Sequence, residues 1–282
     1  MVRIITDSSA DFTAEEEKQL DVTVIHMSVT FGDETYLDGV DLSPKEFYAK
    51  LIEGDTLPQT SQITPYTFEK VFKEVEEAGD SAVVITLSSE VSGTCQNAYM
   101  SAGSFENVFV VDSLNVTVGE QCLVRLACGL RDNGLSAREI SEKLNEAKKN
   151  IKVLALLDTL EYLKKGGRIS GAAAMIGEVL SIKPVVSVVD GKIEIAGKAR
   201  GSRNGNNLLM ELVKKSGGID FELPVVLGYS GLNDAMLNKY VEDSRALWEG
   251  EGEKLLRLVM GPTIGTHAGP GAVAIGFFAK KM

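Results

Sequence analysis

Hydroxyl side chains are concentrated directly after a short apolar run in the first third of the sequence. Residues 82–87 read Ala-Val-Val-Ile-Thr-Leu, which is typical of a strand buried on both faces. The next residues, 88–94, read Ser-Ser-Glu-Val-Ser-Gly-Thr, and residues 94–102 can form a helix. A hydroxyl-rich loop that opens a helix brings hydroxyls and free N–H groups together, which suits an anion. The alternative is that Ser92 only caps the helix.

A second polar segment lies near the C-terminus. Residues 261–271 read Gly-Pro-Thr-Ile-Gly-Thr-His-Ala-Gly-Pro-Gly. Four glycines allow tight turns and close backbone approach, so we predict a loop between two strands. Thr266 and His267 lie at its centre and offer donors to a carboxylate or a phosphate, although the segment is alternatively a plain connection. His26, the other histidine, lies in a strand pattern and is predicted to be structural.

Two short basic clusters occur in an otherwise acidic sequence. Residues 164–168 read Lys-Lys-Gly-Gly-Arg, and residues 198–203 read Lys-Ala-Arg-Gly-Ser-Arg. Such cations commonly complement the dipole at a helix C-terminus or lie in solvent. Their alternative use is to bind an anionic head group or a phosphoryl-bearing partner, for which Arg168 and Arg200 are the candidates.

The overall composition argues against several classes of protein. The 282 residues carry 29 basic and 40 acidic side chains, a net charge of −11, which disfavours nucleic acid and anionic membrane surfaces as partners. Three cysteines without a C-x-x-C pair and two histidines argue against a disulfide framework and a metal site. No apolar window of about 18 residues predicts a spanning helix. Because Met1-Val2-Arg3 enters a strand pattern directly, we predict a cytoplasmic protein without signal peptide or stable membrane anchoring.

Common cofactor and catalytic motifs are missing. The sequence has no G-x-x-x-x-G-K-[ST] phosphate-binding loop and no G-x-S-x-G nucleophile elbow. The first predicted strand, residues 2–6, ends at Asp7-Ser8-Ser9, where a dinucleotide-binding fold has its glycine-rich turn. That end of a strand is also where ligands of α/β sheets gather. We therefore predict no cofactor, and Asp7-Ser8-Ser9 is a candidate ligand-facing segment.

Predicted strands and helices alternate up to about residue 158, and beyond it β-hairpins occur among the helices. The alternation predicts an α/β domain over residues 1–158, with a parallel sheet flanked by helices. Residues 159–282 combine helices with a β-hairpin around Asp190-Gly191, which predicts an α+β domain. The predicted fold class is therefore α/β, with an N-terminal parallel sheet and a C-terminal α+β domain.

An ordered set of short motifs resembles the DegV family. The motifs are Thr6-Asp7-Ser8-Ser9-Ala10-Asp11, Thr60-Ser61-Gln62, Leu87 to Thr94, Val111-Asp112-Ser113, Leu160 to Ser170, Ile182-Lys183-Pro184, Lys198 to Gly201 and Gly265 to Gly271. Each is weak alone, but together they extend from end to end. The chain departs from the family pattern at Ile63, Cys95 and Ala268, and these changes affect the shape of the acyl slot more than its polar end.

The resemblance implies a non-catalytic, lipid-binding protein that holds a long-chain fatty acid in a slot between two domains. It implies further that the protein presents the carboxylate to a separate ATP-dependent fatty acid kinase subunit, which forms an acyl-phosphate. By motif, the carboxylate-binding residues are Thr60, Ser61, Ser92, Gly93, Thr94, Thr266 and His267. Arg168 and Arg200 are implied to contact the phosphoryl group or the kinase. The Ala- and Gly-rich residues 171–177 leave room for an acyl chain or, alternatively, for close helix packing.

Two other functions stay open on the sequence. The first is a sensor or interaction protein in which the lipid is a structural ligand. The second is a hydrolase with Ser92 as nucleophile and His267 as base, although no third group that would orient the histidine is evident.

Overall fold

The structure is a computed structural model that describes residues 1–54, 56–169, 182–248 and 250–280. The strands in these ranges are β1 Val2–Asp7, β2 Val22–Ile25, β3 Ser28–Phe31, β4 Glu34–Leu37, β5 Gln59–Ser61, β6 Ser81–Thr86, β7 Val108–Asp112, β8 Ile151–Leu156, β9 Ile182–Val189, β10 Lys192–Arg200, β11 Val225–Tyr229, β12 Leu255–Val259 and β13 Val273–Phe278. The α-helices are α1 Ala14–Leu20, α2 Pro44–Glu53, α3 Pro65–Glu77, α4 Thr94–Ala102, α5 Val118–Asp132, α6 Ala137–Ala147, α7 Glu161–Lys165, α8 Ser202–Lys215, α9 Ala235–Asp243 and α10 Pro262–Ala268. The predicted Ala- and Gly-rich stretch, 171–177, lies outside the described residues.

The first sheet is parallel and has the strand order β2-β1-β6-β7. Ile4 and Val83 lie in the core shared with α5 and α6, whereas Ile5 and Val84 pack on the other face with α3 and α4. Because both faces are covered, successive residues of a strand are all buried, which is why residues 82–87 are apolar without alternation. The predicted parallel sheet flanked by helices is confirmed.

A small antiparallel sheet, β4-β3-β5, lies beside the first. Residues 57–62, Leu-Pro-Gln-Thr-Ser-Gln, have the composition of an extended polar loop, but Gln59–Ser61 forms β5, and Thr60 pairs with Val29 of β3. A three-residue strand with exposed polar side chains carries no sequence signal, because its partner is remote in the chain. The pairing fixes the backbone of Thr60.

The second large sheet has six strands in the order β10-β9-β8-β13-β11-β12. Its neighbours are antiparallel except β11 and β12, and the predicted hairpin turns at Asp190 and Gly191, with φ of 48° and 81°. We predicted residues 153–157 as part of the parallel sheet, which is wrong, since β8 pairs with β13 and β9. Alternation along a chain does not reveal which sheet a strand joins. A boundary at residue 158 stays a prediction, and the pairing of β8 favours one near residue 150.

Helix α5 forms a layer between the two large sheets. One side of α5 contacts β1 and β6, and the other contacts β8, β11 and β13. The approach is close, because a Cβ atom on Gly276 would lie 2.6 Å from the Val118 carbonyl oxygen and one on Gly228 would lie 2.8 Å from Val118 Cγ1. Helices α8 and α9 cover the far face of the six-stranded sheet. The two parts of the chain, residues 1–150 and residues 151–280, therefore share a helical layer.

Candidate functional site

A cavity of about 410 Å³ is lined by both parts of the chain. Leu87 and Val91 contribute from the first part, and Val153, Ala155 and Ala274 from the six-stranded sheet. The three sheet residues share the face that packs toward α5 and are buried. Since most of the lining is aliphatic, the cavity is suited to a hydrocarbon chain, and its volume is within the range of about 300–1,000 Å³ typical of small-molecule sites.

Polar groups gather at one end of this cavity. The polar and cationic lining residues that concern the predicted site are Thr60, Ser61, Gln62, Ser92, Gly93, Thr263, His267 and Arg168. Ser61 and Gln62 are exposed to solvent, whereas Val153, Ala155 and Ala274 are buried. The cavity therefore opens to solvent at the polar residues Ser61 and Gln62, whereas its side formed by the six-stranded sheet is buried.

His267 is brought to this end by a helix that the sequence did not predict. We predicted residues 261–271 as a loop, but Pro262–Ala268 forms α10. Pro262 occupies the first turn, where a missing N–H costs nothing, and Gly269, with φ of 68°, ends the helix. The helix places His267 Nε2 2.9 Å from Thr60 Oγ1 of β5. Two residues separated by more than two hundred positions thus form one hydrogen-bonded pair.

The imidazole of His267 is uncharged at neutral pH. Burial, and then the nearby guanidinium of Arg168, lower the pKa of His267 to about 4. Its Nδ1 atom is buried without a hydrogen-bond partner in the described part of the chain. Gly166 leaves the space for this edge of the ring, because a Cβ atom there would overlap Nδ1 and lie 2.8 Å from Cε1. The site therefore offers a neutral ring and hydroxyls to an anion, with a cation nearby.

The serine-rich corner predicted from residues 88–94 is formed at the start of α4. Ser92 Oγ lies 3.1 Å from Thr94 Oγ1 and accepts the Thr94 N–H at 3.2 Å. Thr94 Oγ1 in turn accepts the N–H of Ile63 at 3.3 Å, which ties the chain after β5 to α4. Ser92 and Gly93 line the cavity, whereas Thr94 is buried behind them. The N-cap residue of α4 is Gly93, so the alternative that Ser92 only caps the helix is wrong. Ser92 Oγ precedes the cap, accepts the N–H of the first helical residue and also faces the cavity.

Three other predicted residues lie in different surroundings. Thr266 donates its hydroxyl hydrogen to the Pro262 carbonyl oxygen at 2.8 Å and faces a second cavity, not the first. Arg168 lines both cavities and donates to the carbonyl oxygens of Val91 and Gly166 at 3.2 and 2.6 Å. Arg200 is exposed on β10 and is not among the described residues that line either cavity.

A second cavity, of about 360 Å³, adjoins the Thr60–His267 pair. Thr60, Arg168 and His267 line both cavities, and Lys165 adds a further cation to the second. A ligand group bound at the pair is therefore reachable from a second, more cationic space.

The Asp7-Ser8-Ser9 segment does not face either cavity, contrary to its prediction as a ligand-facing segment. Asp7 is buried and accepts the N–H groups of Ser9 and Leu87 at 3.0 and 2.8 Å. The single hydroxyl hydrogen of Ser9 faces two carboxyl oxygens, Asp7 Oδ1 at 2.6 Å and Glu120 Oε2 at 2.8 Å. Burial raises the pKa of Glu120 well above its ordinary value and that of Asp7 to about 6. Because Asp7 also accepts two backbone N–H groups, burial favours the protonated form of Glu120 more than that of Asp7.

Several lining residues were missed by sequence reasoning. Thr263 and Ile264 line the cavity from the first turn of α10, and Met260 lines it from the segment between β12 and α10. Gln62 lies against Gly93, where a Cβ atom would lie 3.0 Å from Gln62 Cδ. The signal for Thr263 and Ile264 was their helical spacing with His267, which the glycines and prolines concealed. Gln62 was visible only as the neighbour of Thr60-Ser61.

The geometry gives no support to metal or Ser/His chemistry. In the described ranges, no cluster of three or more His, Cys, Asp and Glu side chains could hold a metal ion. His267 bonds Thr60, Ser92 bonds Thr94, and no hydrogen bond joins Ser92 to His267 among the described side chains. None of the helices described combines the length and apolar character that a bilayer crossing requires.

Comparison with known proteins gives a consistent result. The family model described as "Uncharacterised protein, DegV family" matches residues 1–280. A DegV domain-containing protein of Caldanaerobacter subterraneus is 32% identical, with 99% of each chain covered. A solved structure on fatty acid binding by a DegV family protein from Thermus thermophilus has a TM-score of 0.88 at 29% identity, covering 99% of both chains. A stearic acid-binding protein from Eubacterium ventriosum has a TM-score of 0.87 at 26% identity, again covering 99% of both.

Proposed function

Because the chain belongs to the DegV family, we propose that it binds a long-chain fatty acid in the 410 Å³ cavity. The observation that carries the proposal is the lining of the cavity, which is mostly aliphatic and has a group of hydroxyl and imidazole side chains where Ser61 and Gln62 reach solvent. The fatty acids bound by the Thermus thermophilus and Eubacterium ventriosum proteins support the same ligand class.

The carboxylate binds where the cavity opens to solvent in this proposal. The proposed contacts are the hydroxyls of Thr60, Ser61 and Ser92, the backbone at Gly93 and the imidazole of His267, with Thr94 and Thr266 holding the backbone behind them. An anion removed from bulk water needs several such donors. The acyl chain supplies most of the affinity, since about 0.8 kcal/mol per methylene gives roughly 11 kcal/mol for about fourteen methylenes before ordering costs.

Extraction of the purified protein followed by mass spectrometry tests lipid binding directly. We expect a long-chain fatty acid in the extract, or uptake of added palmitate or oleate by lipid-stripped protein. Ser92→Ala should weaken palmitate binding by about 1–3 kcal/mol, because one donor to a buried anion is lost. Ser89→Ala is the matched control, since Ser89 is exposed and does not line either cavity. Absence of any bound or acquired fatty acid would refute the proposal.

We further propose that the bound carboxylate is presented to a separate ATP-dependent fatty acid kinase subunit, and that this protein is itself non-catalytic. Two features support presentation: the cavity opens to solvent at polar residues, and the second cavity with Lys165 and Arg168 adjoins the Thr60–His267 pair. In this role Arg168 contacts the phosphoryl group, and the exposed Arg200 contacts the kinase.

Hydroxylamine trapping distinguishes this role from that of a lipid-liganded sensor. Lipid-loaded protein, ATP, Mg²⁺ and a fatty acid kinase subunit should yield acyl hydroxamate, which reports acyl-phosphate. Arg200→Ala should lower the rate without changing palmitate affinity, because Arg200 does not line the cavity. Retention of lipid without hydroxamate formation would favour the sensor instead.

A further inference from the structure

Helix α10 belongs to the second part of the chain, residues 151–280, but packs on the first part, residues 1–150. It connects β12 to β13 of the six-stranded sheet, yet it contacts α2, β3, β5 and the turn at residues 8–10. Gly265 permits the closest contact, since a Cβ atom there would lie 2.5 Å from Phe47 Cε1 and 2.6 Å from the Tyr48 hydroxyl oxygen. The position of His267 is therefore decided by residues of the first 60 positions as much as by its own sheet.

Two buried carboxyl groups hold the start of this helix. Asp11 Oδ1 accepts the N–H of Gly261 at 2.8 Å, and Asp38 Oδ2 accepts the N–H of Thr263 at 3.1 Å. Thr117 donates its hydroxyl hydrogen to the other oxygen of Asp11 at 2.6 Å. A Cβ atom on Gly261 would lie 3.0 Å from an oxygen of each carboxyl group, so the two acids flank this residue. Carboxyl oxygens that accept in this way satisfy the free N–H groups of a helix start.

We propose that Asp11 and Asp38 form an interdomain clamp that positions His267 against Thr60, and that they are positioning residues, not ligand-binding residues. The clamp assigns a role to Asp11 of the Thr6–Asp11 motif, a segment that does not line either cavity. His26 supports the arrangement, since its Nδ1 lies 2.7 Å from the Asp38 carbonyl oxygen. The effect on lipid binding rests on the proposed function, whereas the effect on His267 does not.

Histidine-selective ¹⁵N labelling tests the clamp directly. The chain has two histidines, so the ring signals of His267 can be assigned with a His267→Gln variant. Thr60→Ala supplies the reference spectrum for a His267 ring without its hydroxyl partner. Asp38→Ala and Asp11→Ala should move the His267 signals toward that reference, with the fold checked by circular dichroism and thermal unfolding.

A conservative variant separates positioning from general damage. In Asp11→Asn the amide oxygen can still accept from Gly261 N–H, and the amide NH₂ can donate to the Thr117 hydroxyl, so the His267 signals should return to the wild-type values. Asp33→Ala is the matched control, because Asp33 is exposed at the β3–β4 turn, next to the strand that leads to Asp38. Lipid-stripped Asp38→Ala should bind palmitate about three- to tenfold more weakly.

The outcomes are distinguishable. Folded Asp38→Ala and Asp11→Ala proteins with wild-type His267 signals would overturn the clamp. The same result in Asp38→Ala alone, should Asp11→Ala fail to fold, would also overturn it. Shifted His267 signals with unchanged palmitate affinity would support the clamp and contradict the carboxylate-binding role of His267.

Discussion

Replacing Gly166 by alanine is expected to weaken fatty acid binding by displacing the His267 ring. Gly166 follows α7 with φ of −72° and ψ of −12°, a conformation that alanine adopts without strain. The added methyl carbon would overlap Nδ1 and lie 2.8 Å from Cε1, whereas optimal contacts between carbons are about 3.5–4.0 Å. The ring has to move, and the 2.9 Å contact with Thr60 is then broken.

The size of the effect follows from that contact. A partner left unsatisfied in a buried site costs about 1–3 kcal/mol, which corresponds to about a five- to 150-fold rise in Kd for palmitate. Titration of lipid-stripped protein measures the change, and the ¹⁵N signals of His267 report the displacement. Gly129→Ala is the control, because Gly129 lies exposed in α5 and its Cβ would meet nothing within 4 Å. Wild-type affinity and unchanged His267 signals in Gly166→Ala would refute this reasoning.

Three further perturbations address the buried acids and thiols. Burial raises the pKa of Glu120 well above its ordinary value, so the Glu120 contribution to stability falls as pH rises above the unfolded pKa of about 4.3. Glu120→Gln should lack that fall, because its neutral amide can still bond the hydroxyls of Thr6 and Ser9; a wild-type slope in urea unfolding from pH 4 to 8 would contradict this. Burial raises the pKa of Asp7 to about 6, against about 3.9 when unfolded, so the folded state binds more protons between these values and the Asp7 contribution to stability falls as pH rises through them. Asp7→Asn should lack this pH slope but be destabilised by about 1–3 kcal/mol, because its amide NH₂ must face a backbone N–H donor. Urea unfolding from pH 4 to 7 measures the slope and the destabilisation. A slope equal to that of the wild type would exclude Asp7 as the source of the pH dependence. Burial raises the thiol pKa of Cys95 to about 11, that of Cys122 to about 12 and that of Cys128 to about 11. Iodoacetamide at pH 8 should therefore modify these cysteines only in unfolded protein, as measured by mass spectrometry. Rapid labelling of folded protein would show that a thiol is exposed.

Local sequence was sufficient where neighbouring residues decide the structure. The S-x-x-E spacing in the sequence at Ser43 and Glu46 forms a capping box that starts α2, and Ser136 with Glu139 does the same at α6. The apolar run at residues 82–87 becomes a strand covered on both faces. Local composition gave a wrong prediction at residues 261–271, where glycines and prolines predicted a loop. The segment contains helix α10 instead, because contacts with α2 and β5 stabilise it.

The polar residues of the candidate site were visible in the sequence because hydroxyls, glycine and histidine cluster in short motifs. Their arrangement was not visible. Thr60 lies in a segment of loop-like composition and is fixed by β3. The role of Arg168 and Arg200 toward a phosphoryl group or a kinase stays a prediction, and Arg200 lies apart from both cavities. Asp7 looked like a ligand-facing residue, yet its oxygens are used by backbone N–H groups.

The amino-acid sequence by itself determined the α/β class, the capping boxes of α2 and α6, the hairpin turn and the set of polar residues, since these depend on periodicity and on contacts within a few positions. The tertiary structure alone decided that β8 joins the second sheet, that α5 separates the two sheets, and that His267 meets Thr60. These features depend on pairing between segments far apart in the chain. A periodic pattern indicates that one face of an element is buried, but it does not indicate which segment of the chain covers that face.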